Sequence, residues 1–170
     1  EALSLTGFFT YDRMTNDQTG YERAAPAPCS AADILPGGAL NPACFWNVNT
    51  LDQGYTVGVG ADWMVIEDTL KLIFDYAYSH TVTAYECEAA PALGAEPVPD
   101  VVSTLHSFGV RTDYTIMEGI TVSLGYLFEK FDNDDFALDT GSSLPAVITL
   151  GTQSLDYTVH SVGVSTSLRF

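Results

Sequence analysis

The stretch that decides the fold is DYTVHSVGVSTSLRF, residues 156–170. His160, Val162, Val164, Leu168 and Phe170 place apolar or bulky groups on one parity, with small or polar residues mostly between them. A two-residue period of this kind is a strand with one apolar face. Chain ends usually fray. The last strand of a membrane barrel has to be ordered, because it closes the sheet and leaves no edge in lipid. The ending predicts an all-β protein, an antiparallel transmembrane β-barrel.

Working outward, five more segments alternate: 3–11, 55–65, 70–80, 105–116 and 120–130, with 157–170 as the sixth. Most are near the ~9–11 residues that a tilted strand needs to cross a bilayer. In the third, Leu70, Leu72, Phe74, Tyr76 and Tyr78 share one face, and Lys71, Ile73, Asp75, Ala77 and Ser79 share the other. Short turns are expected at 66–69 (IEDT) and 117–119 (MEG), and long connections at about 12–54, 81–104 and 131–156. Short and long alternate, as periplasmic turns and extracellular loops do in bacterial barrels. On the expected lipid face, Trp63, Tyr114 and Phe170 fall at the periplasmic ends of the strands. Tyr11, Tyr55, Tyr78 and Phe128 fall at the opposite ends. Two aromatic girdles at headgroup depth suit amphipathic rings, whereas a soluble sandwich has no reason to sort them by depth.

The other face carries Gly58, Gly60, Asp62, Lys71, Asp75, Gly109, Arg111, Asp113, Ser123, Gly125, Glu129, Gly163, Ser165 and Arg169. Such residues cannot form a dry core, and even an eight-stranded barrel fills its interior with side chains. Six strands are therefore expected to be one side of a larger barrel, with residues 1–170 its carboxy-terminal part. The chain begins on a strand-like LSLTGFFTY instead of a Met or a signal peptide, which reads as a processed chain or the tail of a longer one.

The segments 103–139 (STLHSFGVRTDYTIMEGITVSLGYLFEKFDNDDFALD) and 150–170 (LGTQSLDYTVHSVGVSTSLRF) resemble the carboxy-terminal end of the MtrB/PioB family, and 58–79 (GVGADWMVIEDTLKLIFDYAYS) resembles its upstream hairpin. These are outer-membrane barrels that associate with decahaem c-type cytochromes. The resemblance implies a bacterial outer-membrane location and a barrel of about 26 strands, near the upper end of the common range. It also implies an insulating sheath with a multihaem cytochrome threaded through the lumen from the periplasm, carrying electrons across the membrane. Further implied partners are outer-membrane lipid and an extracellular multihaem cytochrome. Haem would be carried by the partner and none by this chain, which has no CxxCH. The alternatives are a general diffusion porin for small solutes and a small adhesion or receptor barrel.

The lumen-side charges Asp62, Lys71, Asp75, Arg111, Asp113, Glu129 and Arg169 are the expected functional residues. They would set ion selectivity in a porin or meet polar groups of the cytochrome in a sheath; their plainer role is cross-strand ion pairs in a solvated wall. His80, His106 and His160 fall on the lipid parity, the wrong side for ligating a lumenal haem. Cys29 and Cys44, 15 positions apart, can form a disulfide worth ~3 kcal/mol, with Cys87 either unpaired or competing.

The net charge is −16, and fourteen of the 22 acids lie in the long connections. Asp132, Asp134 and Asp135 form the densest cluster, a weak Ca²⁺ candidate lacking EF-hand spacing, for which solvated loop charge is the plainer reading. The six basic residues are scattered, which gives nucleic-acid binding no electrostatic support. No GxSxG, phosphate-binding loop or HExxH occurs, so an enzyme is not expected.

Overall fold

The computed structural model describes residues 2–21, 34–35, 39–40, 44–89, 98–136 and 155–169. Eight strands appear in chain order: β1 (Leu3–Tyr21), β2 (Ile34–Leu35), β3 (Ala39–Leu40), β4 (Phe45–Ile66), β5 (Leu70–Ala89), β6 (Val101–Met117), β7 (Ile120–Asp134) and β8 (Tyr157–Leu168). Six of them form one antiparallel sheet in the order β1-β4-β5-β6-β7-β8, and β2 pairs with β3 separately. The main sheet is an open meander: each strand pairs with its sequence neighbours in the sheet, and β1 and β8 are its two edges. Among the described residues no helix is long and apolar enough to cross a membrane, a statement that does not bear on crossing by strands.

The six expected segments fall within these strands, mostly at their short-turn ends, with β8 stopping at Leu168, and both short turns fall where the sequence puts them. In the first turn Thr69 N–H donates to the Ile66 carbonyl at 3.0 Å, and Asp68 adopts a left-handed backbone, φ 54°. Aspartate tolerates that region better than most residues. In the second turn Gly119 has φ +84° and its carbonyl accepts from Arg169 N–H at 2.8 Å. A Cβ on Gly119 would stand 2.6 Å from the Arg169 carbonyl oxygen, so both conformation and space call for glycine. Each short turn is preceded by a register break, between Met64 and Ile66 in β4 and between Thr115 and Met117 in β6. One extra residue is inserted there, on the strand entering the turn, as in a β-bulge.

The long connections are shorter than the sequence suggests, and this corrects the expected bounds. β1 runs to Tyr21 and β4 begins at Phe45, pairing throughout; β5 continues to Ala89, and β6 and β7 reach Val101 and Asp134. β2 and β3 lie inside what reads as a single long connection. The reason is physical. Alternation marks a strand only where its two sides meet different media, and 45–54 (FWNVNTLDQG) mixes polar and apolar groups on both parities. Backbone pairing continues without that signal.

Register sorts the side chains into two faces. Direct partners share a face, and Leu5–Ala61–Phe74–Val110–Tyr126–Val162 runs across all six strands as one apolar row. The next row is Gly7–Val59–Tyr76–Phe108–Phe128–His160. Nothing in the described protein covers this face: Leu5 is 72% exposed, Phe9 67% and Val164 72%, and Cys44 is the buried apolar residue. An apolar expanse of this size is not stable against water. It needs an apolar medium, and in a bilayer every backbone group must be paired, which a continuous sheet provides.

Candidate functional site

The opposite face is polar, and its rows are held together by direct cross-strand pairs. Thr56 and Ser79 hydroxyls lie 2.7 Å apart, Thr83 Oγ1 donates to Asp52 Oδ1 at 2.5 Å, and Ser103 Oγ donates to Asn133 Oδ1 at 2.6 Å. Ser107 with Glu129 (3.5 Å) and Thr115 with Thr121 (3.4 Å) extend the same ladder. Charges sit among these pairs. Lys71 Nζ is 2.7 Å from Asp62 Oδ2, and Arg111 Nε is 3.2 Å from Asp113 Oδ1 on its own strand, close enough to attract but not aligned as a hydrogen bond. Asp75 stands in the row Thr6–Gly60–Asp75–Gly109–Leu127–Ser161. Arg169 follows β8 on the polar parity, its backbone fixed to the 117–119 turn.

The relief of this face is low. Gly109, Gly125 and Gly163 leave a shallow depression beside Asp75 and Arg111. Two aromatic rings cover glycines from the neighbouring strand: a Cβ on Gly58 would overlap the Phe8 ring, and one on Gly20 would overlap the Trp46 indole. Both are direct partners, Phe8 with Gly58 and Gly20 with Trp46. The ring shields the backbone that glycine leaves bare.

Asp62, Lys71, Asp75, Arg111, Asp113 and Glu129 share one face by register, with Asp62 and Lys71, and Arg111 and Asp113, brought together as pairs, while Arg169 follows the last paired residue of β8. Sequence reasoning missed the hydroxyl ladder and the two covered glycines. Extending the parity of β4 and β5 past Tyr55 and His80 would have set Asp52 opposite Thr83. Higher on this face Tyr85 packs edge-on against Phe136, ring centroids 6.2 Å apart. Burial, then the Asp135 and Asp52 carboxylates, push its phenol above the usual tyrosine range.

On the apolar face, Trp63 and Tyr114 stand toward the short turns, in neighbouring rows with Leu72 and Leu70. Tyr55 is paired with Tyr11 and lies 6.0 Å from Tyr78, ring to ring. Phe128 is in register with Val59 and Tyr76, one row nearer the short turns than Tyr78. Phe170 lies outside the described residues. Nine residues from Tyr55 to Trp63 separate the two aromatic levels, the number a tilted strand uses to cross a bilayer (about 9–11).

Each histidine on this face is the direct partner of an aromatic residue: His80 of Tyr55, His106 of Tyr78 and His160 of Phe128, with ring centroids 5.4, 4.8 and 5.2 Å apart. Two of them share a second contact. Tyr76 OH meets His106 Nδ1 at 2.9 Å, and Tyr126 OH meets His160 Nδ1 at 2.9 Å. None of the three is on the polar face, where a ligand to an enclosed haem would have to be.

Cys44 is disulfide-bonded and Cys87 is a free thiol, while Cys29 lies outside the described residues. The calcium candidate is not assembled. Asp132 is 2.8 Å from Lys130 Nζ, Asp134 follows it on the apolar parity, and Asp135 comes after the end of β7. Among the described residues no three acidic, histidine or cysteine side chains converge as a cation site.

Neither a curated protein nor a solved structure matches the chain. The family model described as outer membrane beta-barrel porin, MtrB/PioB, matches residues 1–170, the whole chain. Its description agrees with a meandering antiparallel sheet that is apolar on one face and polar on the other, and the chain belongs to the MtrB/PioB family of outer-membrane β-barrel porins.

Proposed function

We propose that this chain is the carboxy-terminal part of a barrel wall that sheathes a multihaem c-type cytochrome in the bacterial outer membrane, so that electrons cross along haems the partner carries. The apolar face meets lipid and the polar face lines the lumen, the arrangement required of a membrane barrel. The observation that carries the proposal is the low polar face. With Gly60, Gly109, Gly125 and Gly163 on it, the wall has too little side-chain bulk to fill its own interior, as a small barrel does. It suits a wide lumen occupied by water or by another protein. The family resemblance of 103–139 and 150–170 favours the protein, a decahaem cytochrome entering from the periplasm and delivering electrons to an extracellular multihaem cytochrome. Asp62, Asp75, Asp113 and Glu129 would meet polar and cationic groups of the enclosed cytochrome, and the wall would bind no haem and catalyse nothing itself.

The test is co-purification of the complete barrel with a co-expressed multihaem cytochrome, comparing wild type with a quadruple Asp62→Asn, Asp75→Asn, Asp113→Asn, Glu129→Gln variant. Weakened association is expected. Unchanged association would count against contact through these side chains. A diffusion porin is favoured by the same exposed charges, and stable ion conductance by the barrel alone in planar bilayers, with no cytochrome retained, would establish that reading instead.

A further inference from the structure

We infer that His106, Lys130 and His160 form a binding site for the phosphate group of an outer-leaflet lipid. The inference rests on the barrel standing in the outer membrane and not on what fills its lumen. The three residues occupy adjacent strands β6, β7 and β8. His106 and Lys130 are direct partners, and His160 is the direct partner of Phe128, two residues before Lys130. Direct partners have Cβ atoms ~4.5–5.5 Å apart and diagonal ones somewhat more, so the Lys130 side chain starts between the two histidines, with its ammonium turned to Asp132. All three are on the lipid-facing parity, in the half of their strands away from the short turns.

Both imidazoles are held from the same side. Tyr76 OH engages Nδ1 of His106 and Tyr126 OH engages Nδ1 of His160, each at 2.9 Å. When the tyrosine donates, the ring proton resides on Nε2, which becomes the donor left for a ligand. Tyr78 and Phe128 fix the ring planes at 4.8 and 5.2 Å. Fixed donors lose little entropy on binding. Lys130 supplies the charge: three donors on an amine whose side chain is 50% exposed, one of them directed to Asp132 at 2.8 Å.

Charge distribution argues for an anion as occupant. In a chain of net charge −16, Arg13 and Lys130 are the basic residues that the described strands place on the apolar face, both at this same end. Apart from Asp132, the Lys130 ammonium faces lipid and interfacial water, and phosphorylated headgroups are its complement there. Asp132 competes with that anion for Lys130, so its removal strengthens the site while removal of Lys130 weakens it.

The test uses the complete barrel in detergent with bisphosphorylated lipid A, or the same lipid enzymatically dephosphorylated, and native mass spectrometry to count retained lipid. Heat-modifiable gel migration confirms that each variant is folded. Wild type is expected to retain the phosphorylated lipid in preference. Lys130→Gln and the His106→Gln/His160→Gln pair should each reduce retention about tenfold, the worth of a hydrogen bond to a charged group, and Asp132→Asn should raise it. Equal retention of the two lipids, or an Asp132→Asn variant that retains no more than wild type, overturns the site. If millimolar inorganic phosphate strips the lipid from the wild-type protein, the residues read free phosphate and the assignment to a lipid is overturned.

Discussion

Lys71 and Asp62 face each other diagonally across the β4–β5 ladder, 2.7 Å from amine to carboxylate, with side chains 34% and 47% exposed on the polar face. At that exposure the pair contributes about 0–1 kcal/mol. Asp62→Asn and Lys71→Gln should each move the urea-unfolding midpoint only slightly, as followed by gel migration of the barrel. Their effect belongs to the field of the wall. In a barrel reconstituted without a partner, Asp62→Asn should shift ion selectivity toward anions and Lys71→Gln toward cations, read from reversal potentials in a salt gradient. A large stability loss with no selectivity change would place the pair in a dry environment.

Gly119 should be the least replaceable residue of the short turns. Its φ is +84°, and an added methyl would stand 2.6 Å from the Arg169 carbonyl oxygen. Gly119→Ala should therefore cost more than the ~1 kcal/mol of glycine's conformational advantage alone. Asp68, at φ 54°, should respond oppositely: Asp68→Gly relieves a left-handed residue and should be neutral or stabilising. Urea titration of folded barrel for both variants checks the sign of each effect.

Phe8 over Gly58 is a coupled pair. Phe8→Ala should cost about 0.2–1 kcal/mol, because a shielding cross-strand contact is lost. Gly58→Ala puts a methyl where the Phe8 ring lies and forces the ring aside. In the double variant that clash has no partner, so the two effects should not add. A double-mutant cycle showing strict additivity would mean that the ring does not rest on the glycine.

Tyr85 should ionise above the ordinary tyrosine range, since burial and the Asp135 and Asp52 carboxylates all oppose a phenolate. A folded-state value raised above the unfolded one contributes stability that is complete below the unfolded value and disappears as pH rises through the folded one. The barrel should therefore lose this contribution only in strongly alkaline solution. Ultraviolet difference titration should show Asp135→Asn bringing the Tyr85 transition to lower pH.

Thiol labelling of the folded, unreduced protein should modify Cys87 and spare Cys44. Peptide mapping with and without reductant reads this directly, and labelling of Cys44 before reduction would contradict the bonded state.

Within the bilayer zone, the sequence carries nearly all the information the fold uses. A strand such as 70–78 meets lipid on one side and a polar wall on the other, so Leu72, Phe74 and Tyr76 cannot exchange places with Lys71, Ile73 and Asp75 without reversing a face. Register gives Asp62, Lys71, Asp75, Arg111, Asp113 and Glu129 a common parity. Outside the zone both sides meet water. Trp46, Val48 and Asp52 then share a parity without any common hydropathy, and the strand ends at Tyr21, Ala89 and Val101 left no mark. Pair identities were equally hidden. Which residue stands opposite Thr83 or Gly20 depends on register, and register follows from turn geometry together with the buried pattern. The diagonal Tyr–His contacts need that register first.

The inserted residue before each short turn has a further consequence. β4–β5 and β6–β7 carry the same device at the same place, Met64/Ile66 in one and Thr115/Met117 in the other. Among the described residues, strand pairing in the main sheet is confined to immediate neighbours. A hairpin in this wall is thus a self-contained stave: it brings its own reversal, its own offset and its own two-sided chemistry. Girth can change two strands at a time, by duplication or loss of a stave, while those already in place keep their register.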